Sequence, residues 1–264
     1  MPVHYERNGQ VATFTFDNGK VNVLTPQMHK ELHDHLRRFV ADEEVRVGIM
    51  TGAGDRAFCA GDDIKTPENK GRTRAQELEA HLFPHRNDDA PPGRPGWETD
   101  VMLMPRYKPI IAAVNGYCLG QGLIYLLLLT DIRIASENAV FGFPEIAYGM
   151  GGAGGATRLG RQMPHTAAMW MLLTGETIDA EEALRANLVN RVVPCEKLME
   201  TAEEVAAKIA RHPPVSIRVE MEAYYRGMDM ARNDALVYVG HLYRLQRMGY
   251  EGFGAEDGFF GDEK

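Results

Sequence analysis

Residues 115–131 read NGYCLGQGLIYLLLLTD, a glycine-rich turn that runs directly into seven apolar residues. A bilayer crossing takes about 20 such residues, and here Thr130 and Asp131 end the run. A segment this short and apolar on every side is expected to be a helix buried in a protein core. It demands a body large enough to enclose it. The 264-residue chain supplies one, with room for a large core and a small appended domain.

The rest of the pattern says how that body is built. VATFTF at 11–16 alternates apolar and polar, which predicts a half-buried strand, and an Asn18-Gly19 turn follows. Thr25-Pro26 is a helix start, with Thr as the cap and Pro in the first helical position. Met28, Leu32, Leu36, Phe39 and Val40 then recur at helical spacing. VRVGIMT at 45–51, PIIAAV at 109–114 and residues 132–135 read as buried strands. Strands alternating with helices predict an α/β body with mostly parallel pairing. Residues 73–83 suit a helix, and 84–105, with Pro91, Pro92 and Pro95, suit a loop. From 201 to 246 the chain reads helical, broken at His212-Pro213-Pro214.

Charge and cysteine usage exclude some classes. The net charge is −8 and no dense Lys/Arg run is present, which argues against nucleic acid as a partner. Cys59, Cys118 and Cys195 are far apart and odd in number, the pattern of reduced thiols in a cytoplasmic protein. The opening MPVHYERNGQ lacks the basic-then-apolar order of a signal peptide. No membrane association is expected. His29 and His33 stand i,i+4 in HKELH, but the glutamate that follows the first histidine of a zinc-protease helix is missing. A solvated helix face bearing His29, His33 and His35 is the expectation, with no metal.

Three segments carry chemistry: RAFCAGDDI at 56–64, NGYCLGQG at 115–122 and FGFPEIAYGMGGAGGATRLGR at 141–161. The first two follow buried strands, end in glycine turns and are expected to enter helices. Amides at such turns are free of intrahelical partners and point outward. Two of them side by side would make an oxyanion hole; alternatively, the glycines merely close tight strand–helix turns. The 115–122 turn is no phosphate loop, because no Lys-Ser/Thr follows Gly122, and Tyr125 breaks a dinucleotide fingerprint.

Taken in order, these blocks resemble the crotonase, or enoyl-CoA hydratase/isomerase, superfamily. VNVLTPQMHKEL is similar to its early N-A-L segment, RAFCAGDDI to its A-F-x-A-G-x-D block and KPIIAAVNGYCLGQG to its K-P-x-I-A-A-x-N-G block. TGETIDAEEALRANLVNRVVP is similar to the segment leading into the C-terminal helices. The resemblance implies a crotonase-type ββα spiral core at 1–200 that binds acyl-CoA, and a C-terminal helical trimerisation region at 201–264. It implies a homotrimer or homohexamer, and coenzyme A as part of the substrate with no other cofactor. It further implies that the backbone amides of Asp62 and Gln121 hold the thioester oxygen, with Ala60, Gly61, Ile64, Gly120, Ile124 and Phe143 around the substrate.

Family hydratases generally carry two glutamates. The later one is retained as Glu145; the place of the other, three residues beyond Gln121, is Ile124. One carboxylate leaves three reactions open: hydration by Glu145 alone, double-bond isomerisation, or a hydratase-lyase reaction on an aromatic enoyl-CoA. A non-catalytic acyl-CoA-binding homologue is the remaining class, and the intact motif around Glu145 argues against it. Beside Phe143 and Ile146, Glu145 is expected to have a raised pKa. Ala153 stands where dehalogenase-like and naphthoate-synthase-like branches place an aspartate, which disfavours both. The long 65–105 connection is expected to wall the acyl pocket. There Trp97 and Phe83 either select a bulky acyl group or belong to a mobile loop, and Lys65 either meets a coenzyme A phosphate or is solvated. Tyr238 and Tyr243 lie where some relatives place a tyrosine near the acyl group, or serve in packing.

Overall fold

A computed structural model describes residues 2–64, 73–75, 78, 82, 96–151 and 156–249; Lys65, Phe83 and Ala153 lie outside them, as does most of the 65–105 connection. The first compact unit runs to Ala210 and the second begins at Arg211.

The first unit is organised by two sheets. One has six strands: β1 (Val3–Asn8), β2 (Val11–Phe16), β3 (Val47–Gly52), β5 (Ile110–Val114), β7 (Ile132–Ser136) and β10 (Arg191–Val193), in that spatial order. β1 pairs antiparallel with β2, and every later pair is parallel. The other sheet has four short strands: β4 (Ala57–Cys59), β6 (Tyr117–Leu119), β8 (Val140–Gly142) and β9 (Ile178–Asp179). The chain visits the sheets alternately. β3 leads to β4, β5 to β6 and β7 to β8, and a helix follows β6. Each strand pair thus adds one step to both sheets, as expected of a ββα spiral.

The large sheet is buried on both faces, which explains its continuous apolar runs. Val47, Ile49, Ile111, Ala113 and Ile134 pack with Leu198, Ala202, Ala206 and Ala210. Those four belong to helix α7 (Leu198–Ala210), and their four-residue spacing lays small side chains along one face. For this reason α7 is part of the first unit, and the division expected at 200 falls ten residues later, after Ala210. The opposite face, with Met50, Ala112, Val114 and Ala135, joins the main core.

Helix α1 (Pro26–Ala41) starts where the sequence places it, with the Thr25 hydroxyl accepting from the Met28 amide at 3.3 Å. At its far end Lys108 donates to the carbonyl of Phe39 at 2.9 Å and to that of Asp42, an interaction that satisfies orphan helix-end acceptors. A short helix, α2 (Trp97–Met102), lies against α1. The 115–131 segment forms β6 and then helix α3 (Gln121–Leu129), with eight of its nine residues buried. Asp131 closes it: its carboxylate accepts from the Ile110 amide and from Arg106, each at 2.7 Å. Between β8 and α7 come helices α4 (Ala156–Gln162), α5 (His165–Thr174) and α6 (Ala180–Arg185).

The second unit contains α8 (Pro214–Gly227) and α9 (Arg232–Gly249). Glu222, 8% exposed, accepts from the Tyr238 hydroxyl at 2.7 Å and pairs with Arg218 and Arg226.

Candidate active site

The two glycine turns meet. After β4, the Gly61 carbonyl accepts from the Leu24 amide at 2.8 Å, and the Asp63 amide donates to the Leu24 carbonyl at 2.8 Å. Leu24 and Asp62 form a parallel bridge. Successive peptide units of an extended segment face opposite ways. The Asp62 amide therefore points away from Leu24. Gly61 has φ +95, and a β-carbon there would stand 3.5 Å from the Gln121 amide nitrogen and 3.3 Å from the Leu119 carbonyl oxygen. Gly120, with φ 52 and ψ −124, caps α3 and makes Gln121 its first residue. First-turn amides have no intrahelical acceptor and carry the positive end of the helix dipole. The amides of Asp62 and Gln121 thus lie on neighbouring turns.

Glu145 reaches the same place from the next strand. β6 and β8 pair in register, Leu119 opposite Gly142, and the Gly120 amide donates to the Gly142 carbonyl at 3.1 Å. Just beyond Gly142, Pro144–Tyr148 forms a 3-10 turn that carries Glu145. The carboxylate lies over Gly120: a β-carbon on that glycine would be 2.0 Å from Glu145 Oε1. Oε2 is buried without a hydrogen-bond partner among the described residues. Burial pushes the Glu145 pKa up; its own amide opposes this, and the Asp62 charge adds to it. Burial thus shifts the carboxyl toward easier protonation, the direction expected of a group that both takes and gives a proton.

The other expected site residues distribute as follows. Ala60, Gly61 and Gly120 form the turns. Ile124, 3% exposed, is one helical turn further on, its amide bonded to the Gly120 carbonyl at 3.0 Å. Phe143 is 5% exposed and precedes the 3-10 turn. Ile64 is exposed at the limit of the described stretch. Trp97 requires a correction. It is 2% exposed, tilted against the His33 ring at 5.0 Å with the Lys30 ammonium 5.2 Å from its centroid. It is neither a mobile exposed residue nor an open surface for an acyl group, because α1 covers it. Tyr238 is bonded to Glu222 within the second unit, and Tyr243 is exposed.

The solvated histidine face is also overturned. His29 is 5% exposed, with Nδ1 2.6 Å from the Tyr125 hydroxyl and Nε2 3.3 Å from Asp62 Oδ1. His35 Nε2 contacts the Val3 carbonyl at 3.0 Å and stacks on Tyr5. The sequence did hold the signal: His29, Leu32 and Leu36 share one helical face, and a tyrosine inside an apolar run needs a partner for its hydroxyl. Cys59 and Cys118 are opposite one another in β4 and β6, both buried; desolvation pushes Cys59 up to about 12. They are inert packing thiols.

A ββα spiral that sets two main-chain donors beside one desolvated carboxylate is the architecture of a crotonase-fold protein. A sequence profile described as "Enoyl-CoA hydratase/isomerase" matches residues 6–242, and the chain belongs to that family. It is 36% identical over 252 residues to the (E)-benzylidenesuccinyl-CoA hydratase of Thauera aromatica, covering 94% of this chain and 91% of the relative. It is 37% identical over 235 residues to the short-chain-enoyl-CoA hydratase of Clostridium acetobutylicum, covering 88% and 84%. The crystal structure of an enoyl-CoA hydratase of Mycobacterium smegmatis superposes with a TM-score of 0.82 at 26% identity, covering 94% of this chain and 92% of that one.

Proposed function

We propose that this protein is a hydro-lyase that adds water to, or removes it from, the α,β-double bond of an acyl-CoA thioester. The observation that carries the reading is Glu145, whose Oε2 is buried and unpartnered beside the joined Gly61 and Gly120 turns. The thioester oxygen lies between the amides of Asp62 and Gln121, in contact with Ala60, Gly61, Gly120, Ile124, Phe143 and Ile64. Glu145 takes a proton from water as the oxygen bonds to Cβ. Electron density moves onto the thioester oxygen, where fixed amides stabilise it without reorganising. Glu145 then returns its proton to Cα. Coenzyme A enters as part of the substrate, and the reaction calls for no other cofactor.

The second reading, favoured by the apolar Ile124, is a double-bond isomerase in which Glu145 moves one proton along the acyl chain. Incubation with enoyl-CoA thioesters in ¹⁸O-water separates the two. A hydratase places solvent oxygen on Cβ. Migration of the double bond with no ¹⁸O in any product would replace the leading reading with the isomerase.

The reading includes a cytoplasmic homotrimer or homohexamer. Leu236, Val237, Leu245 and Met248 leave α9 with exposed apolar side chains, which supports association of copies. Light scattering should give a multiple of 29.4 kDa; a stable monomer at micromolar concentration would sink it.

A further inference from the structure

The line Tyr125–His29–Asp62 is not used by the reaction as described so far. Tyr125 is fully buried in α3, and His29 is nearly so in α1. Their rings meet edge to face at 5.8 Å, with the hydroxyl on Nδ1 and Asp62 on Nε2. With Tyr125 donating to Nδ1, the ring proton sits on Nε2, which lies 3.3 Å from Asp62 Oδ1 in a close polar contact. Burying a tyrosine hydroxyl and an imidazole is costly unless they are paired. A purely apolar contact would hold α1 against α3 as well. The line ends on a carboxylate whose side chain is 49% exposed, on the residue that lends its amide to the thioester oxygen. A negative charge there opposes the developing enolate, so packing does not explain its presence.

We propose that the Asp62 carboxylate orients the attacking water, and that His29, backed by Tyr125, is the positioning residue that aims it. Asp62 thereby takes a place at the water that Ile124 cannot. The inference rests on the hydratase reading. His29 engages Oδ1, so Oδ2 is the oxygen that meets the water. One O–H bond of the water breaks and its proton goes to Glu145. The C–O bond forms at Cβ as the π pair moves toward the thioester oxygen, and Glu145 then protonates Cα. The other hydrogen of the water points to Asp62 throughout and stays on the product hydroxyl, so Asp62 ends in the protonation state in which it began. Proximity supports this. Gly61 lies against the Gln121 amide, Gly120 lies against Glu145, and the Asp62 charge is felt at Glu145. Cys59 and Glu98 are the other acidic groups that act on Tyr125.

The test compares two reactions of the purified protein. Hydration of a straight-chain 2-enoyl-CoA is followed by ¹⁸O incorporation. Exchange of the Cα hydrogen of the saturated thioester in D₂O needs Glu145 and the two amides but no water addition. Asp62→Ala should lower the ratio of hydration to exchange by about 10–100-fold, since both reactions share the enolate and Glu145 and only hydration uses the water. His29→Phe should lower hydration in the same direction, His29→Gln should recover part of it, and Asp62→Ala/His29→Phe should be no slower than Asp62→Ala alone. The proposal is overturned if Asp62→Ala leaves hydration intact, or lowers hydration and exchange together. Should His29→Phe fail to fold, Asp62→Ala at its half-exposed position still decides. A wild type that exchanges Cα hydrogen but never incorporates ¹⁸O would remove the hydratase reading itself, and this inference with it. Hydration intact in Asp62→Ala would remove the inference alone.

Discussion

Glu145 Oε1 occupies space that any side chain on Gly120 would need: a β-carbon there would sit 2.0 Å away. Gly120 also holds φ 52 with ψ −124, a conformation costly for other residues. Gly120→Ala should therefore displace the carboxylate and lower kcat by about 10²-fold or more. A crystal structure of the variant should show Glu145 moved. Wild-type turnover in Gly120→Ala would mean that the contact has no bearing on catalysis.

Glu145→Gln keeps the size of the side chain and removes its titration. Turnover should fall by about 10²–10⁴-fold, while acyl-CoA affinity measured by calorimetry stays nearly constant. Full activity in this variant would defeat both the hydratase and the isomerase readings.

The same substitution should change stability in a pH-dependent way. Burial raises the Glu145 pKa above the ordinary 4.5, so the folded state keeps the proton to higher pH than the unfolded chain does. The associated stability is fully present below the unfolded value and is lost as pH rises through the raised native value. Glu145→Gln should thus gain Tm relative to wild type as pH rises from the unfolded value through the raised native value. Parallel melting curves across that window would show that burial does not raise the carboxyl's pKa.

In the proposed mechanism Gln121 donates through its backbone. Gln121→Gly should keep most activity. Gln121→Pro should abolish it, because proline removes the N–H yet suits the first position of a helix. Equal losses in the two variants would make the side chain the participant.

Asn115 joins the ends of β3 and β5. Its amide accepts from the Gly52 N–H at 3.2 Å and donates to the carbonyls of Gly52 and Gly54, both at 2.8 Å. Asn115→Ala should destabilise the fold by about 1–3 kcal/mol in urea unfolding. A change indistinguishable from zero would place those groups in contact with water.

The central strands were legible because each is buried on both faces, so an apolar run stands out. The readings at 45–51, 109–114 and 132–135 lie within two residues of β3, β5 and β7 at either end. β1, sequence VHYERN, escaped notice because half of it is exposed and its alternation is lost. The two- and three-residue strands of the small sheet are too short to show any period. Glu145 and the two turns were visible as local motifs. The burial of His29 and Tyr125 each left a local signal, but nothing local joins the two, which lie 96 positions apart. Nothing local marks the gap between α8 and α9 at 228–231, because no proline stands there.

The hydrogen bond from Gly120 to Gly142 ties the turn proposed to hold the substrate oxygen to the strand that delivers Glu145. Main-chain atoms alone form it, so substitutions that respect the backbone leave the span from oxygen to base unaltered. Every acyl-CoA places its α-carbon next to the thioester carbonyl whatever its tail, so the proposed reaction asks for the same span each time. Directed evolution toward a new acyl group would therefore do best to vary side chains such as Ile64 and Phe143 while leaving this strand register alone.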